Sequence, residues 1–167
     1  NGYPASLHGK NDVEIRPQVS GFITRVCVTE GQRVSKGQTL FTIDRVQLEA
    51  AVSAAQAQVA QAQAAIVAAQ ANVNTARTNA KNNKILLDKN IISSSAYQTS
   101  VDAVNAAEAQ VNQARAAANA ANAQLVSARK NLSYANVTAP ASGIVGTIDF
   151  KEGALVSPST LLTILSN

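Results

Sequence analysis

The sequence predicts an α+β fold: a β-sandwich, discontinuous along the chain, split by a long antiparallel coiled-coil hairpin. Three observations lead there. Segments 13–45 and 134–167 carry short apolar stretches punctuated by glycine and proline, as strands and turns do. The segment between them, 46–133, is rich in alanine and places its larger apolar residues at helical spacing. The two flanks also repeat one another, so each supplies half of one folded unit.

In the first flank, Val13 and Ile15 alternate with polar residues, as do Val26 and Val28. Gly31 and Gly37 then mark turns before the apolar run Leu40–Phe41–Thr42–Ile43. In the second flank, Pro140, Gly143, Gly153 and Pro158 are the punctuation. Gly21, Ile23, Gly31, Val34 and Leu40 recur as Gly143, Val145, Gly153, Val156 and Leu162, and Thr29–Glu30–Gly31 is echoed by Lys151–Glu152–Gly153. Neither half has enough strands to bury an apolar face alone, because a lone hairpin is marginal in water. The halves must meet, so the segment between them must leave and return to one place.

That segment has the period such a hairpin needs. Leu48, Val52, Ala55, Val59, Ala62, Ile66, Ala69, Val73, Ala76 and Ala80 follow a 4-3 spacing without a slip. Val104, Ala107, Val111, Ala114, Ala118, Ala121, Leu125, Ala128 and Leu132 do the same on the return. A sustained heptad imposes a left-handed supercoil. With the turn at Asn90, inside a break near 88–94, an antiparallel pair sets Ala69 against Val111, Val73 against Ala107 and Ile66 against Ala114. Large meets small at nearly every layer, Ala62 against Ala118 being the exception. A parallel dimer would stack large on large and leave voids between. Lys89–Asn90 ends the first arm, and Ser93 to Ser95 offers N-caps for the second, with Ser95 and Gln98 spaced as a capping box.

Composition narrows the chemistry. Charged residues make up 14% and aromatics 4%, too few for a bulky core or a heavily charged coil. One cysteine, Cys27, and one histidine, His8, exclude an internal disulfide and a zinc site built of Cys and His. Cys27, between Val26 and Val28, reads as a buried, inert thiol. His8 reads as solvated in an irregular leader. The carboxylates Asp44 with Glu49, and Asp149 with Glu152, read as turn and helix-start charges. The net charge is +4, but the Lys and Arg residues are scattered, so no nucleic-acid partner is expected. No apolar run is long enough to span a membrane, since glutamines interrupt the longest candidate. With neither an initiating Met nor a leader peptide, the chain reads as a trimmed segment. No enzyme activity and no cofactor are expected.

The chain resembles the periplasmic adaptor subunits (membrane fusion proteins) of tripartite efflux pumps, of the resistance–nodulation–division type. Ile15–Arg16–Pro17–Gln18–Val19–Ser20–Gly21, Glu30–Gly31–Gln32, Lys36–Gly37–Gln38 and Ile43–Asp44 resemble that family's first lipoyl-like half-motif. Asn131–Leu132–Ser133–Tyr134, Ala139–Pro140, Ser142–Gly143 and Glu152–Gly153–Ala154–Leu155–Val156 resemble the second. The resemblance implies a lipoyl-like barrel-sandwich hybrid at 13–45 and 134–167, with the hairpin at 46–133. It implies that 1–12 is a leader remaining from a β-barrel domain.

The resemblance also implies an adaptor that bridges an inner-membrane transporter to an outer-membrane channel, with lipoyl-like domains in a hexameric ring. It would act in the periplasm of a Gram-negative bacterium, its full-length form anchored at the inner membrane. The hairpin tip would dock on the channel. The family's Arg, Leu and Ser contacts fall on Asn82, Leu86 and Ser93, with Lys89, Asn90 and Ile91 beside them. Leu86 and Ser93 match, whereas Asn82 departs from the pattern; Lys81 and Lys84 are the nearest cations and lack a guanidinium fork. An ABC-type or type I secretion adaptor shares this architecture. A lipoyl or biotinyl carrier would need an exposed Lys where the helical insert stands.

Overall fold

A computed structural model of the chain describes residues 12–167. The leader and His8 therefore lie outside the described residues, except for Asp12. Two compact units are present, one of the two flanks with short helical stubs and one spanning Val52–Ser127.

The flanks form eight strands: β1 (Val13–Ile15), β2 (Gly21–Val26), β3 (Arg33–Val34), β4 (Thr39–Ile43), β5 (Asn136–Thr138), β6 (Gly143–Val145), β7 (Leu155–Val156) and β8 (Thr163–Ser166). They assemble into two four-stranded sheets, ordered β1-β8-β6-β3 and β5-β4-β2-β7. Each sheet takes two strands from each flank. Exchanging every strand for its repeat partner turns one sheet order into the other, so the internal repeat is a pseudo-twofold. The registers obey it: Gly21 pairs with Val156 in β2–β7, and Gly143 pairs with Val34 in β6–β3. The turns obey it too. The N–H of Gly153 donates to the carbonyl of Ile23 at 2.7 Å, and that of Gly31 to the carbonyl of Val145 at 2.7 Å. Gly31 and Gly153 both hold positive φ, at 84° and 90°, where a side chain is strained.

The core between the sheets draws on both halves, with Ile23, Leu40, Phe41 and Ile43 packed with Val145, Val156, Leu162 and Leu165. Fully burying side chains of this size stabilises by roughly 1.5–3 kcal/mol each. Strand alternation breaks at a register shift between Ile23 and Arg25. Beyond it Val26 is half-buried and Val28 buried, and Cys27 between them faces solvent. The expected burial of Cys27 is thus corrected: an irregularity in β2 changes which parity points inward.

Two helices follow β4 and precede β5: α1 (Val46–Asp88, 43 residues) and α2 (Ser94–Ser133, 40 residues). At 1.5 Å per residue each is about 60 Å long. Every heptad position named above is buried or half-buried, and the remaining positions are exposed except Gln70, Glu108 and a few near the turn. Ala69, Val73 and Val111 form a buried cluster, with Ala107 and Ala114 packed against it, as the layer pairing requires. On α2 the stripe reaches further than the apolar residues do, to Ser100. Its buried hydroxyl donates to the carbonyl of Tyr97 at 2.6 Å, so its polarity is satisfied within the helix.

Candidate functional site

The hairpin turn is where the sequence placed its candidate contacts, and local chemistry fixes its shape. Asn90 adopts φ 61°, a left-handed conformation that asparagine tolerates better than most side chains. Its N–H donates to the carbonyl of Leu87 at 2.9 Å, and the N–H of Ile91 donates to the carbonyl of Leu86 at 2.8 Å. These two bonds are those of a Schellman motif, which closes α1 and satisfies carbonyls that helix ends leave free.

The return begins at Ser93, whose Oγ accepts the N–H of Ala96 at 3.1 Å. Ser93 is therefore the N-cap. The expected capping box of Ser95 and Gln98 is not formed, because Ser95 already lies inside α2 and Gln98 donates instead to Asp102 at 3.1 Å. Lys84 is held by Asp88 at 3.1 Å and lies 5.9 Å from the Tyr97 ring centroid. Sequence reasoning missed this clasp across the two arms, although the spacing of Lys84 and Asp88 signals half of it.

The turn presents apolar surface. Ile91 is 64% exposed and Ile85 47%, whereas Leu86, Leu87 and Ile92 are half-buried. Lys89, Asn90 and Ser93 are exposed beside them. Leu86, Lys89, Asn90, Ile91 and Ser93 thus belong to one turn. Asn82 lies one helical turn before Leu86 on the same side of α1, exposed in a shallow groove lined by Asn74, Thr75, Thr78 and Asn79. Of the two cations considered in place of the family's Arg, Lys84 is engaged by Asp88 and Tyr97, and Lys81 has no ion pair among the described residues.

Elsewhere, three of the carboxylates have local structural partners. The Oδ1 of Asp44 accepts the N–H of Val46 at 3.1 Å and Glu49 pairs with Arg45 at 3.2 Å, so both serve the start of α1. Glu30 accepts the N–H of Ile148 at 3.0 Å and ties the turn after β2 to the segment after β6. Among the described residues no His, Cys, Asp and Glu side chains gather as a metal would require. No described helix is long and apolar enough to cross a membrane.

The comparisons with known proteins agree with this architecture. The family model for the barrel-sandwich hybrid domain of RND membrane fusion proteins matches residues 11–165. The multidrug resistance protein MdtE of Escherichia coli is 35% identical over 144 residues, covering 86% of this chain and 34% of MdtE. The toluene efflux pump periplasmic linker protein TtgA of Pseudomonas putida is also 35% identical, over 86% of this chain and 30% of its own length. The chain thus spans about a third of the length of the curated relatives it matches. Among solved structures, MacA from Actinobacillus actinomycetemcomitans superposes with a TM-score of 0.81 at 24% identity, covering 95% of this chain and 54% of MacA. That likeness is one of fold.

Proposed function

The chain belongs to the membrane fusion proteins of resistance–nodulation–division systems, and from that membership we propose that it is part of the periplasmic adaptor of a tripartite efflux pump. In this reading the adaptor bridges an inner-membrane transporter of that type to an outer-membrane channel in a Gram-negative cell. The full-length protein is held at the inner membrane. The sandwiches of six copies form a ring, the hairpins form a tube, and each hairpin turn docks on the channel. Relatives named as a multidrug resistance protein and as an efflux pump periplasmic linker support this assignment.

The observation that carries the docking half is the turn itself. Ile85 and Ile91 lie exposed at a turn closed by backbone hydrogen bonds, so its shape does not depend on burying them. Exposed apolar side chains on a stable turn are what a partner surface can bury. Leu86 and Ser93 match the family's contact positions, and Asn82 replaces its Arg with a neutral amide. Of the two lysines nearest Asn82, Lys81 is the one without an ion pair among the described residues.

The connection between β4 and β5 speaks against a carrier domain. A carrier needs a short hairpin with a modifiable Lys, whereas here α1 and α2 occupy that connection.

The test is drug susceptibility in cells whose full-length adaptor carries Leu86→Glu or Ser93→Asp. Aspartate caps a helix as well as serine does, so the second change alters charge and leaves the turn formed. Loss of resistance at normal expression is the expected result. Full resistance with both variants removes the docking claim.

A further inference from the structure

The hairpin has two unlike faces. In the heptad, with Val73 and Val111 at a positions, Arg77, Lys84, Glu108 and Arg115 fall at e, and Lys81 and Asp88 at the neighbouring b. The Arg77 Nη2 to Glu108 Oε1 contact of 2.9 Å shows that the e positions of both arms share one face. So does the cleft that Gln70, Arg77, Glu108, Asn112 and Arg115 line over Val73 and Val111. The opposite face, at g and c, carries no charge between Val52 and Ser127. It is built of alanine, asparagine, glutamine, threonine and serine, with Leu86 next to the turn. Asn72, Asn79, Gln110 and Gln113 represent it, all of them exposed. Asp102, at f, and Lys89, in the turn, belong to neither face.

When hairpins stand side by side around a tube, the e face and the g face of each point one inward and one outward. We propose that the uncharged g and c face lines the conduit and the charged e and b face points to the surrounding solvent. This inference rests on the adaptor reading above and adds which surface the exported solute meets.

Two independent arguments select that orientation. The first is electrostatic. Arg77, Lys81, Lys84 and Arg115 outnumber Asp88 and Glu108 on the charged face, and Arg115 makes no ion pair among the described residues. Turned inward, copies of this cationic face would confront one another across a narrow lumen. Turned outward, they are separated and screened within a Debye length of about 8 Å. The second is steric. The concave side of a ring has less room per residue than the convex side, and the g and c face lacks the long Arg, Lys and Glu side chains that the e and b face carries. A lumen of neutral amides and methyl groups also holds no fixed charge that would retain a charged solute in transit.

Thiol labelling in cells tests the orientation. The background is the full-length adaptor with Cys27→Ser, since the native thiol is exposed. Gln110→Cys and Asn112→Cys place single thiols two residues apart on opposite faces, at nearly one height along the tube. The probe is a polyethylene glycol maleimide too bulky to enter the conduit, admitted to the periplasm by permeabilising the outer membrane just before labelling. Asn112→Cys is expected to react at least about tenfold faster than Gln110→Cys in cells that export. In the purified, dissociated adaptor the two are expected to react within about twofold of each other. Equal rates in exporting cells, or the reverse order, overturn the orientation and leave the adaptor reading standing. Cells whose unmodified adaptor supports no export contradict the adaptor reading, and this inference falls with it.

Discussion

Arg77 on α1 and Glu108 on α2 lie 31 residues apart in sequence, and their side chains meet at 2.9 Å. The contact sits beside the buried layer of Val73 and Val111. It marks both the antiparallel sense and the register of the arms, because a slip of one heptad would separate the two charges by about 10 Å. Its energy is small. Both side chains are about half exposed, and a screened surface pair contributes about 0.2–1 kcal/mol. A double-mutant cycle of Arg77→Ala and Glu108→Ala should return a coupling in that range, falling as salt is added. Zero coupling at low salt would show that the pair contributes nothing to the hairpin's stability.

The buried layer beneath that pair matters more. Val73→Asp buries an unpaired carboxylate between the arms and should destabilise the hairpin by about 3 kcal/mol or more. Circular dichroism melting should register this as an earlier loss of helix. Val67→Asp, at an exposed position on the same helix, should change the melt by about 0.5 kcal/mol or less. Equal effects at the two positions would refute the seam.

At the turn, Asn90→Gly should be neutral or stabilising and Asn90→Ala should cost about 1 kcal/mol, since φ 61° suits glycine and strains alanine. Ser93→Ala removes the N-cap and should also cost about 1 kcal/mol. Thermal unfolding of the purified chain measures both. Ser95→Ala serves as the control, with almost no loss expected. A larger loss at Ser95 than at Ser93 would restore the capping box.

In the sandwich, Gly143 and Gly21 are pseudo-equivalent but differ in what a methyl group would meet. A Cβ at Gly143 would lie 2.9 Å from the backbone oxygen of Ser166, whereas at Gly21 it would lie 2.8 Å from the Cγ2 of Ile43. A side chain can shift more easily than a strand backbone. Gly143→Ala should therefore be the more damaging of the two, by about 1–3 kcal/mol in overpacking strain. Urea unfolding of both variants gives the order, and the reverse order would contradict the packing described.

Much of this fold is legible in the sequence because two signals repeat without interruption. The 4-3 spacing from Leu48 to Ala80 and from Val104 to Leu132 specifies one helix face, and every position of it is shielded. The recurrence of Gly21 as Gly143 and of Val34 as Val156 appears in space as matching strand registers. The misreadings have local causes. Ser93, Ser94 and Ser95 have equal claims as caps by composition, and only the exit angle of the Asn90 turn decides between them. Cys27 stands between Val26 and Val28, whose alternation turns it outward, and the usual burial of cysteine as a residue type points the other way. The Lys84–Tyr97 approach joins residues from different arms, so its geometry follows from the packed hairpin rather than from either helix's pattern.

The central claim, that this hairpin turn meets an outer-membrane channel, is most directly tested by crosslinking in cells. A benzophenone maleimide attached at Ser93→Cys in the full-length Cys27→Ser adaptor samples the surface beside Ile91. Irradiation should yield an adduct with the pump's outer-membrane channel, absent when the same probe sits at Gln58→Cys. An exporting cell that gives no channel adduct from Ser93, or an equal one from Gln58, would contradict the account.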